Sequence, residues 1–184
     1  EESMNANEVL IDLLDDNRRR LLRTVESVPD ACLYWRPDAR SNHMALTIWH
    51  MGRLFDVFLV RQAEGLPPEG DCWFRHGWAA RTGYDPRCIG QNGWGMLTGY
   101  SLEEAAAVPV LAREDLLAYI NQVYDMVRDY LDTHSIETLL MPCAGFEGRY
   151  SKYQCVQMAL MDNVRHLGDV VTLKNRWERE VEAG

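Results

Sequence analysis

Four stretches of the chain carry apolar residues at helical spacing, and this pattern restricts the fold more than any other feature of the sequence. The spacing predicts amphipathic helices over about 5–27, 44–63, 112–133 and 151–180. The second stretch is apolar nearly all round, which is typical of a helix buried on most sides. At 184 residues the chain has about the size of one globular domain. The sequence therefore predicts an all-α fold, a four-helix bundle that forms a single domain over residues 1–184.

A long segment, residues 64–111, separates the second and third predicted helices. It holds eight of the thirteen glycines and three of the six tryptophans, so we expect tight turns that hold aromatic side chains. Residues 101–104, Ser-Leu-Glu-Glu, have the spacing of a capping box and predict a short helix to about Ala107. A segment of this length is usually functional or has local structure of its own. It is either a structural cap over one end of the bundle or a lid that forms a substrate wall, and the sequence leaves both interpretations open.

Charge and hydropathy exclude two classes of partner. The formal net charge is −9, and an acidic protein repels a phosphate backbone, so no nucleic-acid partner is expected. No stretch approaches the ~20 consecutive apolar residues that span a bilayer, so no membrane partner is expected either. Five scattered cysteines without a CxxC pair are typical of reduced thiols and predict a cytoplasmic protein.

The fourth predicted helix carries two polar residues on an otherwise apolar stretch. Asp162 and His166 are four residues apart, so they project from one face about one turn apart. A buried carboxylate and imidazole need partners, and a divalent ion would satisfy both. His50, midway along the second predicted helix, is the candidate third ligand, because bundles build metal sites from inward-facing side chains of neighbouring helices. Two imidazoles and a carboxylate leave room for water or substrate, as in catalytic zinc or non-haem iron sites.

Helical spacing alone also fits two simpler interpretations of these residues. A buried histidine such as His50 is often a hydrogen-bonded core residue. A pair such as Asp162 and His166 often forms a salt bridge on a helix surface. From the spacing alone, the metal site and these alternatives all stay open.

Three further residues are candidates for substrate binding. Arg53 lies one turn after His50 and would bind a substrate carboxylate, unless its stem packs on the bundle with the charged tip in water. Tyr84 and Trp94, both in the long segment, would line the mouth of the cavity, unless they only anchor the segment. The interior of the cavity is expected to take a small-molecule substrate.

The start of the second predicted helix depends on its N-cap. Ser41 and Asn42 precede it, and both residue types are good caps. His43 is therefore expected at the entrance of the helix, exposed, unless the helix starts early, in which case it shares a face with His50 seven residues later.

Two motifs resemble the signatures of the DinB/YfiT-like superfamily. Residues 35–38 read Trp-Arg-Pro-Asp and residues 46–51 read Leu-Thr-Ile-Trp-His-Met, similar to the Arg-Pro and the histidine-bearing second helix of that family. Residues 160–168, Leu-Met-Asp-Asn-Val-Arg-His-Leu-Gly, resemble its fourth-helix signature, an HxxxH pair followed by glycine. The order and separation of the motifs and the long second crossover also match, so the resemblance covers nearly the whole chain. It implies a DinB/YfiT-type four-helix bundle with a long insertion between helices 2 and 3.

The motif histidines of that family bind a metal, so the resemblance implies a centre formed by His50, Asp162 and His166. Asp162 stands where most members have histidine, and the thiol-dependent maleylpyruvate isomerase branch is similar in having an acidic residue there. A carboxylate makes the site more negative and harder in ligand character. Zinc is the metal expected first, with iron, manganese and nickel as alternatives.

The resemblance also implies an activity. Members with known activities are often metal-dependent transferases or isomerases that use a low-molecular-weight thiol such as mycothiol or bacillithiol. It therefore implies a thiol S-transferase or a thiol-assisted isomerase. The same ligands would serve a hydrolase or lyase that activates water, and a non-catalytic bundle that binds a ligand or acts in a stress response is a third alternative. Many relatives form homodimers, and a homodimer is compatible with the resemblance.

Overall fold

The computed structural model describes residues 5–182. The domain expected over residues 1–184 therefore extends beyond the described residues at both ends. Between residues 5 and 182 the chain forms helices and no strand, and its one extended pair is the isolated bridge between Pro142 and Ser151. The predicted all-α fold is confirmed. Each described helix is too short or too polar to cross a bilayer.

Long helices occupy the four stretches of apolar periodicity, and shorter ones lie between them. The long helices are α1 (Ala6–Glu26), α3 (Met44–Phe55), α7 (Arg113–Thr133) and α9 (Lys152–Trp177). α3 and α9 continue as π-helical segments, Asp56–Ala63 and Glu178–Glu182. The short helices are α2 (Asp30–Leu33), α4 (Cys72–Arg75), α5 (Trp78–Thr82), α6 (Leu102–Ala107) and α8 (Ile136–Leu139). Single 3₁₀ turns cover Pro68–Gly70, Gln91–Gly93 and Phe146–Gly148.

α3 lies at the centre of the fold. It packs against α7 and α9, and α1 packs against the same two helices. Every residue of α3 is buried, which explains why its sequence is apolar nearly all round. A polar side chain on this helix must therefore find its partners inside the protein, and His50 is one such side chain.

Side-chain caps fix the starts of α6 and α9. The capping box expected from Ser101 and Glu104 is present, and α6 ends at Ala107. Ser151 and Gln154 form a second capping box at the start of α9. This second box satisfies the main-chain N–H groups of Ser151 and Gln154 at the start of the helix that carries two of the three candidate ligands.

The cap of α3 differs from the expectation. His43, rather than Ser41 or Asn42, is the N-cap residue, and its Nδ1 accepts a hydrogen bond from the main-chain N–H of Leu46 at 3.0 Å. The His43 residue is only 6% exposed, so its expected exposure was wrong. Serine and asparagine cap helices through a side-chain oxygen acceptor, and a neutral imidazole nitrogen supplies the same acceptor. Burial, and then the charge of Arg36, lower the pKa of His43 to about 4.

Acid is expected to destabilise the fold through His43. The ordinary pKa is 6.5 and the folded value is about 4, so between these values the unfolded chain binds more protons. The stability contributed by the neutral cap is complete above pH 6.5 and is lost as the pH falls through about 4. We expect wild type to lose more free energy of unfolding than the His43→Asn variant, measured by urea titration near neutral pH and near the folded pKa. Asparagine caps without titrating, so parallel losses would contradict a neutral imidazole cap.

Candidate metal centre

Three side chains from two helices converge on one point. His50 comes from the centre of α3, and Asp162 and His166 lie one turn apart on α9. The Nε2 atoms of the two histidines are 3.1 Å apart. Oδ2 of Asp162 lies 3.5 Å from His166 Nε2 and 4.0 Å from His50 Nε2. The convergence expected from the helical spacing is therefore present in the folded chain.

The hydrogen bonds on the far side of each ring fix which nitrogen carries the proton. His50 Nδ1 contacts the main-chain carbonyl of Met96, and a carbonyl can only accept, so Nδ1 must be the donor. His166 Nδ1 lies 2.9 Å from Oδ2 of Asp169, a carboxylate that also accepts. In the neutral rings both Nε2 atoms therefore present a lone pair to the common point. Metal-bound histidines usually donate their other ring N–H to a carbonyl or carboxylate oxygen in this way.

Two lone pairs and a carboxylate oxygen are all acceptors, so they need a donor or a cation at their common point. A proton on His50 is disfavoured near neutral pH, because burial and then the neighbouring His166 lower the pKa of His50 to about 4. A divalent metal fits the donor set in number and type, with two imidazoles and one carboxylate. Two nitrogens bound to a tetrahedral zinc ion lie about 3.3 Å apart, close to the observed 3.1 Å.

Asp162 uses its two oxygens differently. Oδ1 is paired with the guanidinium of Arg165, one turn along the same helix. Oδ2 faces the two imidazoles. A carboxylate at this position can therefore offer one oxygen to a metal ion while the other is held by the helix surface, which a histidine could not do.

The three candidate ligands face a cavity of about 500 Å³ that opens to solvent. One wall is α9, which contributes Arg165, Asp169 and Arg176. Pro37, Ser41 and Asn42 also line the cavity, as do residues 97–98 of the long segment. The long segment thus forms part of the cavity wall, and the lining is largely polar and charged.

Arg53 does not reach this cavity. It is completely buried, and its guanidinium is 2.9 Å from Oδ2 of Asp56 and 2.9 Å from Oδ2 of Asp71. Its Nε donates to the main-chain carbonyl of Gly95 at 3.0 Å. The expected substrate contact of Arg53 is wrong, because its guanidinium is fully buried among Asp56, Asp71 and the Gly95 carbonyl and lies outside the cavity lining.

Tyr84 and Trp94 also lie outside the cavity lining. The Tyr84 hydroxyl is 3.3 Å from the Tyr100 hydroxyl, and the Tyr84 ring meets the Trp49 ring edge-on at 6.0 Å. Trp94 packs edge-on against Phe58, with 6.1 Å between ring centroids. Both aromatic side chains therefore anchor the long segment to the bundle, which is the alternative that the sequence left open for them.

Two features of the site were missed in the sequence. Asp169 lies three residues after His166 and seven after Asp162, so following the helical face further would have found it. The carbonyl of Met96 could not be found this way, because every residue has a main-chain carbonyl and the residue type does not show which one accepts this bond. Met96 and His50 are 46 positions apart in the sequence, so this contact depends on the tertiary fold.

Comparisons with known proteins agree with this architecture. The family model of the DinB superfamily matches residues 13–170. The fold is similar to that in the crystal structure of a conserved protein from Enterococcus faecalis, with a TM-score of 0.75 and 20% sequence identity over 93% of this chain and 96% of that chain. At this identity the likeness extends to the fold alone. Among curated proteins, none matches the sequence.

Proposed function

The chain belongs to the DinB superfamily, and we propose that it is a divalent-metal-dependent enzyme that transfers a low-molecular-weight thiol to a small electrophile or uses that thiol to isomerise one. One observation carries the proposal. Two imidazole Nε2 atoms 3.1 Å apart and a carboxylate oxygen point at one another beside an open cavity. Zinc is the metal proposed first, because the donor set is of the His and carboxylate type that it prefers.

The chain's own residues have separate tasks in this proposal. His50 and His166 would hold the metal through Nε2, and Asp162 would hold it through Oδ2. The Met96 carbonyl and Asp169 hold the imidazole rings through their Nδ1 protons. The bound ion would act as a Lewis acid that lowers the pKa of a thiol, so that thiolate is available near neutral pH.

The cavity is suited to a thiol with a polar body. Its lining on α9 includes Arg165 and Arg176, whose guanidinium groups are paired with Asp162 and Glu180 respectively. A polar or anionic tail could lie along this wall while its sulfur reaches the centre, and a small electrophile would enter from the open side. The walls also exclude part of the bulk water, which strengthens electrostatic interactions at the centre.

A thiol panel tests the proposal. Glutathione, cysteine, mycothiol and bacillithiol are each incubated with one reactive electrophile, such as a chlorodinitrobenzene, and with zinc-loaded or chelator-treated protein. We expect turnover only when both thiol and metal are present, and we expect His166→Ala to lose it. The exposed His76 lies outside the cavity lining, so His76→Ala serves as the matched control and should keep full activity. Metal-dependent turnover of an ester or amide without any thiol would instead favour hydrolysis and overturn the thiol assignment.

A further inference from the structure

Three consecutive main-chain carbonyls, those of residues 94–96, are bound by side chains from α3 and its π-helical continuation. Arg61 Nη1 donates to the first at 3.2 Å, and Arg53 Nε donates to the second at 3.0 Å. The third carbonyl contacts Nδ1 of His50. The same short piece of backbone thus connects two arginines to a candidate metal ligand.

The two arginines are themselves held by buried carboxylates. Asp71 Oδ2 lies 2.9 Å from Arg53 Nη2 and 3.1 Å from Arg61 Nε, and Asp56 Oδ2 lies 2.9 Å from Arg53 Nη1. The side chains of Arg53, Asp56 and Asp71 are completely buried. Two cations face two carboxylates, and the hydroxyl of Tyr119 gives Asp56 a further hydrogen bond at 2.9 Å. The charges of the cluster balance, and moving any one member away would leave a buried charge without its partner. The cluster is therefore a rigid base.

The backbone that this cluster holds has little freedom of its own. Gly95 has a φ of +66°, and a Cβ there would lie 2.1 Å from the carbonyl oxygen of Pro86, so glycine is required. Met96 is 4% exposed and packs against Leu54 and Val57 of the bundle. These contacts and the arginine bonds to the two preceding carbonyls together restrain the backbone that carries the Met96 carbonyl.

We propose that Arg53 is a positioning residue for the metal centre, acting through residues 94–96 to set the orientation and the tautomer of His50. Arg61 assists it at the first of these carbonyls. The proposal rests on the function proposed for this site, because orienting His50 matters most if Nε2 binds a metal. Arg53 touches neither metal nor substrate, and its influence is carried entirely by the main chain.

The Arg53→Lys variant separates positioning from folding. A lysine keeps the buried positive charge, so the two carboxylates retain a partner. It lacks the planar fork and cannot bind two carboxylates and the Gly95 carbonyl together. The matched control is Arg113→Lys, because Arg113 also donates to two main-chain carbonyls, of Val25 and Val28, and to Asp30, away from the cavity.

The first measurement is made on metal-free protein near neutral pH. Nitrogen-15 NMR of the histidine side chains reports which ring nitrogen carries the proton. In wild type we expect His50 to be protonated at Nδ1, with a slowly exchanging Nδ1 proton. In Arg53→Lys we expect a mixture of tautomers and faster exchange, whereas Arg113→Lys should match wild type.

The second measurement is zinc affinity, determined by competition with a chelator. Loss of an outer-shell partner typically lowers metal affinity by about 10–100-fold, and we expect a loss of that order in Arg53→Lys and none in Arg113→Lys. A wild-type tautomer and affinity in Arg53→Lys would overturn the proposal and leave Arg53 as scaffold only. If Arg53→Lys does not fold, the same two measurements are made on Arg61→Lys. We expect a smaller change in the same direction. If neither the tautomer nor the zinc affinity of Arg61→Lys changes, the proposal is overturned. If wild type binds no zinc but the tautomer still shifts in Arg53→Lys, the proposed function fails and the positioning role stands.

Discussion

Replacement of His50 by alanine is expected to abolish tight divalent-metal binding while the helical fold persists. His50 is the ligand from α3, and without it Asp162 and His166 remain as a pair on a single helix. Removal of a direct ligand should cost more than the 10–100-fold typical of an outer-shell partner, so we expect a loss of affinity above about 100-fold. Elemental analysis after dialysis and zinc titration measure the loss, and circular dichroism checks that the helices remain.

The same substitution should remove the stabilisation that metal confers. Saturation of wild type at one hundred times the dissociation constant should stabilise the folded state by about 2.7 kcal/mol. For a domain of this size that corresponds to a rise in Tm of about 5–10 °C. His50→Ala should show no such rise, whereas His76→Ala, with its exposed imidazole lost, should behave as wild type. Metal retained by His50→Ala at wild-type stoichiometry would rule out this ligand set.

Among the substitutions proposed here, replacement of Asp56 by alanine is expected to lower the free energy of unfolding most. Asp56 is completely buried, pairs with Arg53, and accepts hydrogen bonds from the Tyr119 hydroxyl and from the main-chain N–H of Cys72 at 2.7 Å. Alanine leaves these buried donors without an acceptor. Breaking a buried ion pair by removing one partner typically costs about 3–5 kcal/mol, which corresponds to a fall in Tm of about 6–20 °C.

Thermal and urea unfolding of Asp56→Ala measure this loss. Asp16→Ala is the matched control, because Asp16 pairs with Arg19 and Arg20 on the exposed face of α1. Exposed pairs contribute little to stability because water screens them and ordering long side chains is unfavourable. A loss in Asp56→Ala no larger than in the control would contradict the role of the buried charge cluster as the base of residues 94–96.

The fold class could be predicted from the sequence because apolar periodicity is a local property. A helix records its buried face every three to four residues, so the all-α fold follows from the pattern alone. The candidate ligands could be identified from the sequence for a related reason. Asp162 and His166 share a face by spacing, and His50 stands out as an imidazole within an apolar helix. That these residues bind metal remains a prediction.

The rest of the site depends on contacts between distant parts of the chain. Arg53 was expected in the cavity because it lies near His50 in sequence. Its guanidinium is instead bound by Asp71 and by the Gly95 carbonyl of the long segment, and it lies outside the cavity lining. The Met96 carbonyl carries no residue signature. His43 caps α3 because its own burial keeps the imidazole neutral, and burial is a tertiary property.

The most direct test of the central claim is anomalous X-ray diffraction from crystals of zinc-loaded wild-type protein, recorded on both sides of the zinc absorption edge. We predict one strong anomalous peak bonded to Nε2 of His50, Nε2 of His166 and a carboxylate oxygen of Asp162, with the Met96 carbonyl still bound to His50 Nδ1. An anomalous peak bonded to other residues, or a zinc-soaked crystal with no peak among these three side chains, would contradict the claim.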